Sequence, residues 1–244
     1  MLCGGTLALL TTRGVDVHLL CLTRGEGGEL GEPPLTDRAG LAALRTQELA
    51  CAAQQLGCQA PQFLGYVDPL VGPSETLFAP EHDFDTLVEQ IVNVLVSVRA
   101  SVLLTHGSNG EYGHPAHQLV HRAALAAAAH PALAEAGHPP AIVYSFAATY
   151  PNHPYPRLAN ADDSASLIVD VSGVLDQKEA AARCHASQNA LFVRRRSEAA
   201  GRPLTVREVL LAKESFHRHW PAQAAYSPPP PAADPFLAWL ANTP

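Results

Sequence analysis

The sequence has no excess of positive charge: 16 Lys and Arg stand against 23 Asp and Glu, a formal net charge of -7. Its densest basic cluster, Arg194-Arg195-Arg196, is too short to form a nucleic-acid surface, so RNA and DNA are excluded as expected partners. Long hydrophobic runs are also missing. Although 47% of residues are hydrophobic, Gly, Pro, His or a charge interrupts them before the ~20 residues that a membrane-spanning helix requires. No positively charged segment precedes the first apolar stretch, so no export signal is expected. There is no CxxC pair. The five cysteines, Cys3, Cys21, Cys51, Cys58 and Cys184, therefore read as free thiols of a reducing cytoplasm.

What is present is an alternation of helix and strand patterns, the mark of an α/β sandwich around a mostly parallel sheet. At 244 residues the chain can bury one core, and a single domain over residues 1–226 with a Pro-rich tail over 227–244 is expected. GGTLALLTTRG predicts a helix closed by Gly14, and VDVHLLCL a strand over 15–22. Residues 23–39 form a long Gly- and Pro-rich loop at the carboxyl end of that strand, where open α/β sheets keep their sites. A helix over about 40–57 leads to a short strand at 62–68. The helix DFDTLVEQIVNVLVSV then precedes the strand SVLLTH, with further strands predicted at 141–147 and 166–172 and a helix over 174–188. In the tail, Phe236, Leu237 and Trp239 suggest that the terminal segment docks on the body.

The strand SVLLTH delivers the stretch NGEYGHPAHQLVHRA, residues 109–123. With Pro115 in the first helical turn, His114 lies at the cap and His117 and His121 lie one turn apart on one face. Such a layout can contribute to a metal site, although a catalytic zinc usually takes three protein ligands. His121, deeper in the helix, reads as a supporting or core residue. Of the other histidines, His18, His130 and His138 read as packed or solvated. The loop GEGGELGE lacks the Lys-Ser/Thr pair of a phosphate loop. Arg45 either clamps an oxygen-rich substrate or pairs with Glu48, and Asp68 either accepts substrate hydroxyls or shapes a turn.

Six blocks in order, CGGTLALL, LTRGEGGELG, LRTQELACAAQQLG, FLGYVD, NGEYGHPAH and DVSGVLDQKEAAARCHASQ, resemble the zinc-dependent LmbE-like or PIG-L-like N-deacetylases. The resemblance implies a Rossmann-like three-layer fold and hydrolysis of the acetyl group of an N-acetylglucosamine-type sugar by one zinc ion. It implies that His117 is a zinc ligand, that His114 and Tyr112 are catalytic residues beside the reacting carbonyl, and that Arg45 and Asp68 contact the sugar. The expected partner is a small N-acetylated amino-sugar conjugate, and a homo-oligomer is compatible with the sequence.

Two departures from the family pattern stand out. Ala116 occupies the position of the aspartate in GHPDH, which removes one orienting carboxylate from His114 unless another group supplies it. The HPDD motif, which carries two further ligands and the base, does not occur in the sequence, and the resemblance places it with the first strand upstream of Met1. The expectation is an incomplete zinc site with impaired hydrolysis. The alternative is a non-catalytic protein that binds an amino sugar or thiol conjugate.

Overall fold

The computed structural model describes residues 2–137, 142–220 and 234–241. The Pro-rich run at 228–231 and His138 lie outside the described residues. In chain order, α1 (Gly4–Thr12) is followed by β1 (Leu20–Cys21), α2 (Leu41–Leu56), β2 (Gln62–Phe63), α3 (Phe84–Ser97) and β3 (Val102–Thr105). A single turn, α4 (Gly110–Gly113), then leads into α5 (Pro115–Ala128), α6 (Pro131–Glu135), β4 (Ile142–Phe146), β5 (Ala148–Thr149) and β6 (Asn160–Ser164). β7 (Leu167–Asp170), α7 (Leu175–Cys184), α8 (Ala186–Ala200), α9 (Val206–Val209), β8 (Lys213–Trp220) and α10 (Pro235–Ala241) complete the chain. This is the α/β class that the alternation predicts.

Most helix ends follow from local chemistry. Gly57 closes α2 in the left-handed region at φ 73, which costs glycine nothing. Asp83 starts α3 by accepting from the Thr86 N–H at 2.9 Å. His114 and His130 each precede a Pro-Ala pair, and each ring accepts from the alanine N–H two residues on. The two His-Pro-Ala segments thus serve as helix caps, and the His130-Pro131 break between α5 and α6 needs no functional explanation.

Contacts group the chain into two compact units, each discontinuous in sequence: residues 1–76 with 170–214, and 77–169 with 215–244. In the first, β1 and β2 pair in parallel over only two residues. The predicted strand over 15–22 is extended further than that, because Gln59, Gln62, Leu64 and Tyr66 donate in turn to the carbonyls of Val17, Leu19, Cys21 and Leu22. The N-cap residue of α1, Cys3, makes no side-chain cap bond. Glu214 does so from a distance, accepting from Gly5 and Thr6 N–H at 2.8 and 2.7 Å, and buried Lys178 neutralises it at 2.7 Å. Cys51 on α2 and Cys184 at the end of α7 form a disulfide. This corrects the expectation of five free thiols: the helix pairing brings together two cysteines 133 positions apart, a proximity that spacing along the chain does not show. Cys3, Cys21 and Cys58 are free.

In the second unit, β3 and β4 run parallel with Val102 opposite Ile142 and Thr105 opposite Ser145. β8 lies antiparallel on the far side of β4 and β7 lies beyond it, so this sheet is mixed, while the β1–β2 and β5–β6 pairs are parallel. Helices α3 and α5 pack on this unit through Leu87, Ile91, Leu119, Ala123 and Ala127, all buried. Phe236 of α10 is fully buried, tilted against the Tyr144 ring and edge-on to Phe216, so the terminal segment docks as its apolar residues suggest. Arg218, 6% exposed, pairs with buried Asp234 at 3.1 Å, which also accepts from the Tyr144 hydroxyl.

Candidate metal centre

The centre is built where β3 ends. His106, Gly107 and Ser108 leave the strand, the chain turns sharply through residues 109–113, and Pro115 starts α5. Gly110 and Gly113 take positive φ of 62 and 86, and between them Glu111 is held at φ 57, ψ -86. A side chain at such a backbone is strained by about 1–3 kcal/mol and persists only where its surroundings fix it. Here Asn160, fully buried, accepts from Glu111 N at 2.9 Å through Oδ1 and donates through Nδ2 to the Phe146 carbonyl at 3.1 Å. Gly107 packs so closely on Asn160 that a Cβ would sit 2.0 Å from its Cγ. Only glycine fits there.

The turn aims the Glu111 carboxylate, 5% exposed, at two imidazoles. Oε2 accepts from His106 Nδ1 at 2.9 Å and His117 Nδ1 at 2.6 Å, while Oε1 accepts from Gly107 N at 3.1 Å. Burial alone would raise the Glu111 carboxyl pKa, but the bonds from His106 and His117 outweigh it and hold it well below the usual carboxylate range. With both Nδ1 atoms donating, the Nε2 atoms of His106 and His117 keep their lone pairs, the state in which a histidine ligates a metal. The rings of His106 and His117 stack at 3.9 Å and those of His117 and His114 at 4.5 Å.

His114 is oriented differently. Its Nδ1 accepts from Ala116 N at 3.2 Å, so the neutral ring carries its proton on Nε2 and can donate to an oxygen. Burial, reinforced by His117 and His106, pushes its pKa down to about 4, so it stays neutral near pH 7. The backbone N–H of Ala116 thus fixes the ring as a donor to Nδ1, the opposite hydrogen-bond role to that of an aspartate carboxylate at 116, which could only accept. Tyr112 is 55% exposed, with its ring edge-on to His114 and His117 at 5.7 and 5.6 Å. His121 is buried and donates from Nδ1 to the His106 carbonyl at 2.9 Å, the supporting role its depth in the helix predicts.

Arg45 and Asp68 belong to the other unit, where both hold the glycine-rich loop. Arg45 Nη2 donates to the Glu29 carbonyl at 3.1 Å, and its Nε is buried without a hydrogen-bond partner. Asp68 N donates to Glu26 Oε2 at 3.1 Å. Glu48, the alternative partner of Arg45, instead accepts from the N–H and hydroxyl of Ser187, both at 2.7 Å. A cavity of about 390 Å³ lies against Gly27, Gly28, Glu29, Arg38, Leu70 and Val71.

Among the described residues two groups of donors can each hold a metal ion: His106, Glu111 and His117, and Asp163, His217 and His219. In the first, Glu111 holds both Nδ1 atoms, so His106 and His117 would offer Nε2 to a zinc ion and Glu111 would orient them. The sequence points to His117 but not to His106 or Glu111, although both lie within a dozen residues of it. No local signal marks Glu111, because the turn that aims it inward is fixed by Asn160, 49 residues away. Asp163 and His219 carried no local signal, since strands distant in sequence bring them together.

Residues 1–128 match the family described as "PIG-L: GlcNAc-PI de-N-acetylase". The 1D-myo-inositol 2-acetamido-2-deoxy-alpha-D-glucopyranoside deacetylase of Acidothermus cellulolyticus is 33% identical over 221 residues, covering 77% of this chain and 75% of that protein. Deacetylase 3 of the same description from Catenulispora acidiphila is 35% identical over 140 residues, 51% of this chain and 39% of that protein, so this match spans well under half of the relative's length. Among solved structures, the 4-carboxy-2-hydroxymuconate hydratase GalB of Pseudomonas putida KT2440 is similar at a TM-score of 0.56 and 23% identity, over 89% of this chain and 90% of that one. The fold therefore hosts more than one reaction, and chemistry must be argued from the site. On a family match over half of its length and one-third identity to a relative over most of both chains, this chain belongs to the PIG-L family.

Proposed function

We propose that the chain is a zinc-dependent hydrolase that removes the N-acetyl group from an N-acetylglucosamine-type sugar conjugate, releasing acetate and the free amine. One observation carries this reading: within one turn, the motif presents a metal-competent His117 beside a neutral His114 whose tautomer is that of a hydrogen-bond donor. A zinc ion on His117 would polarise the amide carbonyl and activate water. His114 Nε2–H would donate to the oxygen that gains charge as the carbonyl becomes tetrahedral, a contribution of about 10²-fold or more. Tyr112 would present its hydroxyl to the same region. Glu111 would orient His106 and His117 and is a poor proton acceptor, because a carboxylate held so far below its usual range gains little from a proton near neutral pH. Arg45 and Asp68 would contact sugar hydroxyls.

The low basicity of Glu111 also favours a second reading, a non-catalytic protein that binds an amino sugar or thiol conjugate. Incubation of the zinc-loaded protein with an N-acetylglucosaminide, with acetate and free amine both measured, separates the two: release supports the hydrolase, and saturable calorimetric binding without release supports the binder. No described helix is long and apolar enough to cross a membrane. We place the protein in the cytoplasm on its three free thiols; the Cys51–Cys184 disulfide opposes this, and alkylation mass spectrometry on cell extracts would decide its redox state in place.

A further inference from the structure

Strand β8 carries His217 and His219 two residues apart, so the period of a strand puts both rings on one face. Asp163, on β6 and 2% exposed, meets them there. His219 Nε2 lies 3.4 Å from Asp163 Oδ2, and the two imidazole centroids are 4.6 Å apart. One ligand atom from each of the three residues lies within 4.8 Å of the others. All three lie outside residues 1–128, the span that matches the family.

We propose that Asp163, His217 and His219 form a second metal site, distinct from the His106–Glu111–His117 cluster, which takes a divalent ion of the zinc class. Each ligand is already held. Asp163 Oδ1 accepts from the Ser108 hydroxyl at 2.6 Å, and Oδ2 accepts from Ser108 N at 3.0 Å and the Ser145 hydroxyl at 2.8 Å. His217 donates from Nδ1 to the Ser164 carbonyl at 2.6 Å, which fixes its ring and leaves Nε2 with a lone pair, the usual support of a metal-ligating histidine. The single hydroxyl proton of Ser145 goes to Asp163, so His219 Nε2 donates to Ser145 Oγ at 2.9 Å. A bound ion takes the place of that Nε2 proton, which leaves to solvent.

Two imidazoles and one carboxylate select Zn²⁺, Co²⁺ or Ni²⁺ over Mg²⁺ and Ca²⁺, which prefer all-oxygen shells. Three protein donors leave a coordination position for water or a small ligand, unlike a closed structural site. Because Asp163 also holds Ser108, two residues beyond His106, an ion here ties β6 and β8 to the loop that forms the first cluster.

The test is a titration of metal-stripped full-length protein with Co²⁺, followed by visible absorption and by metal analysis after gel filtration. The wild type is expected to hold two equivalents, H106A/H117A one and H217A/H219A one, with folding of each checked by circular dichroism. Unchanged stoichiometry and affinity in H217A/H219A would overturn the proposal, as would a single wild-type equivalent that disappears in H106A/H117A. Should the double variants fail to fold, diethyl pyrocarbonate modification of the wild type decides: saturating Zn²⁺ should protect His217 and His219, and equal modification with and without Zn²⁺ would refute the site.

Discussion

Replacing Glu111 separates the two jobs assigned to it, holding the turn and setting the histidine tautomers. In Glu111→Ala the buried Gly107 N–H loses its acceptor, at about 1–3 kcal/mol. The two bonds from His106 and His117 also vanish; charge-assisted bonds are worth about 1.5–3 kcal/mol each, but these side chains are 28% and 25% exposed and water recovers part of the loss. The strain at φ 57 remains, since alanine also has a Cβ. The sum is about 3–5 kcal/mol of stability. Glu111→Gln keeps the shape and one acceptor oxygen for Gly107, so it should cost only about 1–2 kcal/mol. Its amide nitrogen, however, faces two Nδ1 atoms and must donate to them. Both rings then carry their protons on Nε2, and a metal must displace them to bind. Zinc affinity should fall about 10- to 100-fold, the scale of losing a group that orients a ligand. Urea unfolding at constant m gives the stabilities, and competition against a chelating dye gives the affinities. If Glu111→Gln bound zinc within twofold of wild type, or Glu111→Ala cost under ~1 kcal/mol, the orienting role would be wrong.

Other outcomes follow from the same geometry. His117→Ala should abolish most zinc binding at the first cluster, whereas His114→Ala should retain zinc and lose about 10²-fold in turnover; equal metal loss in both would reverse the assigned roles. The folded pKa of His114, near 4, lies below the ~6.5 of an unfolded histidine. The unfolded chain therefore takes up the proton first, and the ring's contribution to stability is lost as pH falls from about 6.5 towards 4; an NMR titration showing His114 half-protonated above pH 6 would contradict this. Cys51→Ser with Cys184→Ser opens a loop closed across 133 positions and should cost about 2–4 kcal/mol, read as a lower urea midpoint than that of the oxidised wild type.

Sequence patterns exposed the parts of this structure whose causes are local. Gly57, Asp83 and Pro115 mark helix ends by their own backbone preferences, and each helix boundary falls where they place it. Strand β8, KESFHRHW, carried no such mark, because its charges become tolerable only with partners from elsewhere: Lys178 for Glu214, and Asp234 for Arg218. The disulfide, Asp163 and Asn160 were hidden for the same reason. Within the centre, His114 and His117 were legible from Gly-His-Pro spacing. Glu111 was overlooked although it lies in the same motif, because what aims it inward is a backbone turn fixed by Asn160, 49 residues away.

The proposed reaction of this chain is hydrolysis of an acetamide with His117 and His114 at the reacting group. Acetate and free amine released from an N-acetylglucosaminide by the zinc-loaded protein test it most directly. Wild type should release both in equal amounts over many turnovers, with none from His117→Ala. Saturable binding of the same compound with no acetate released, or equal release by wild type and His117→Ala, would contradict it.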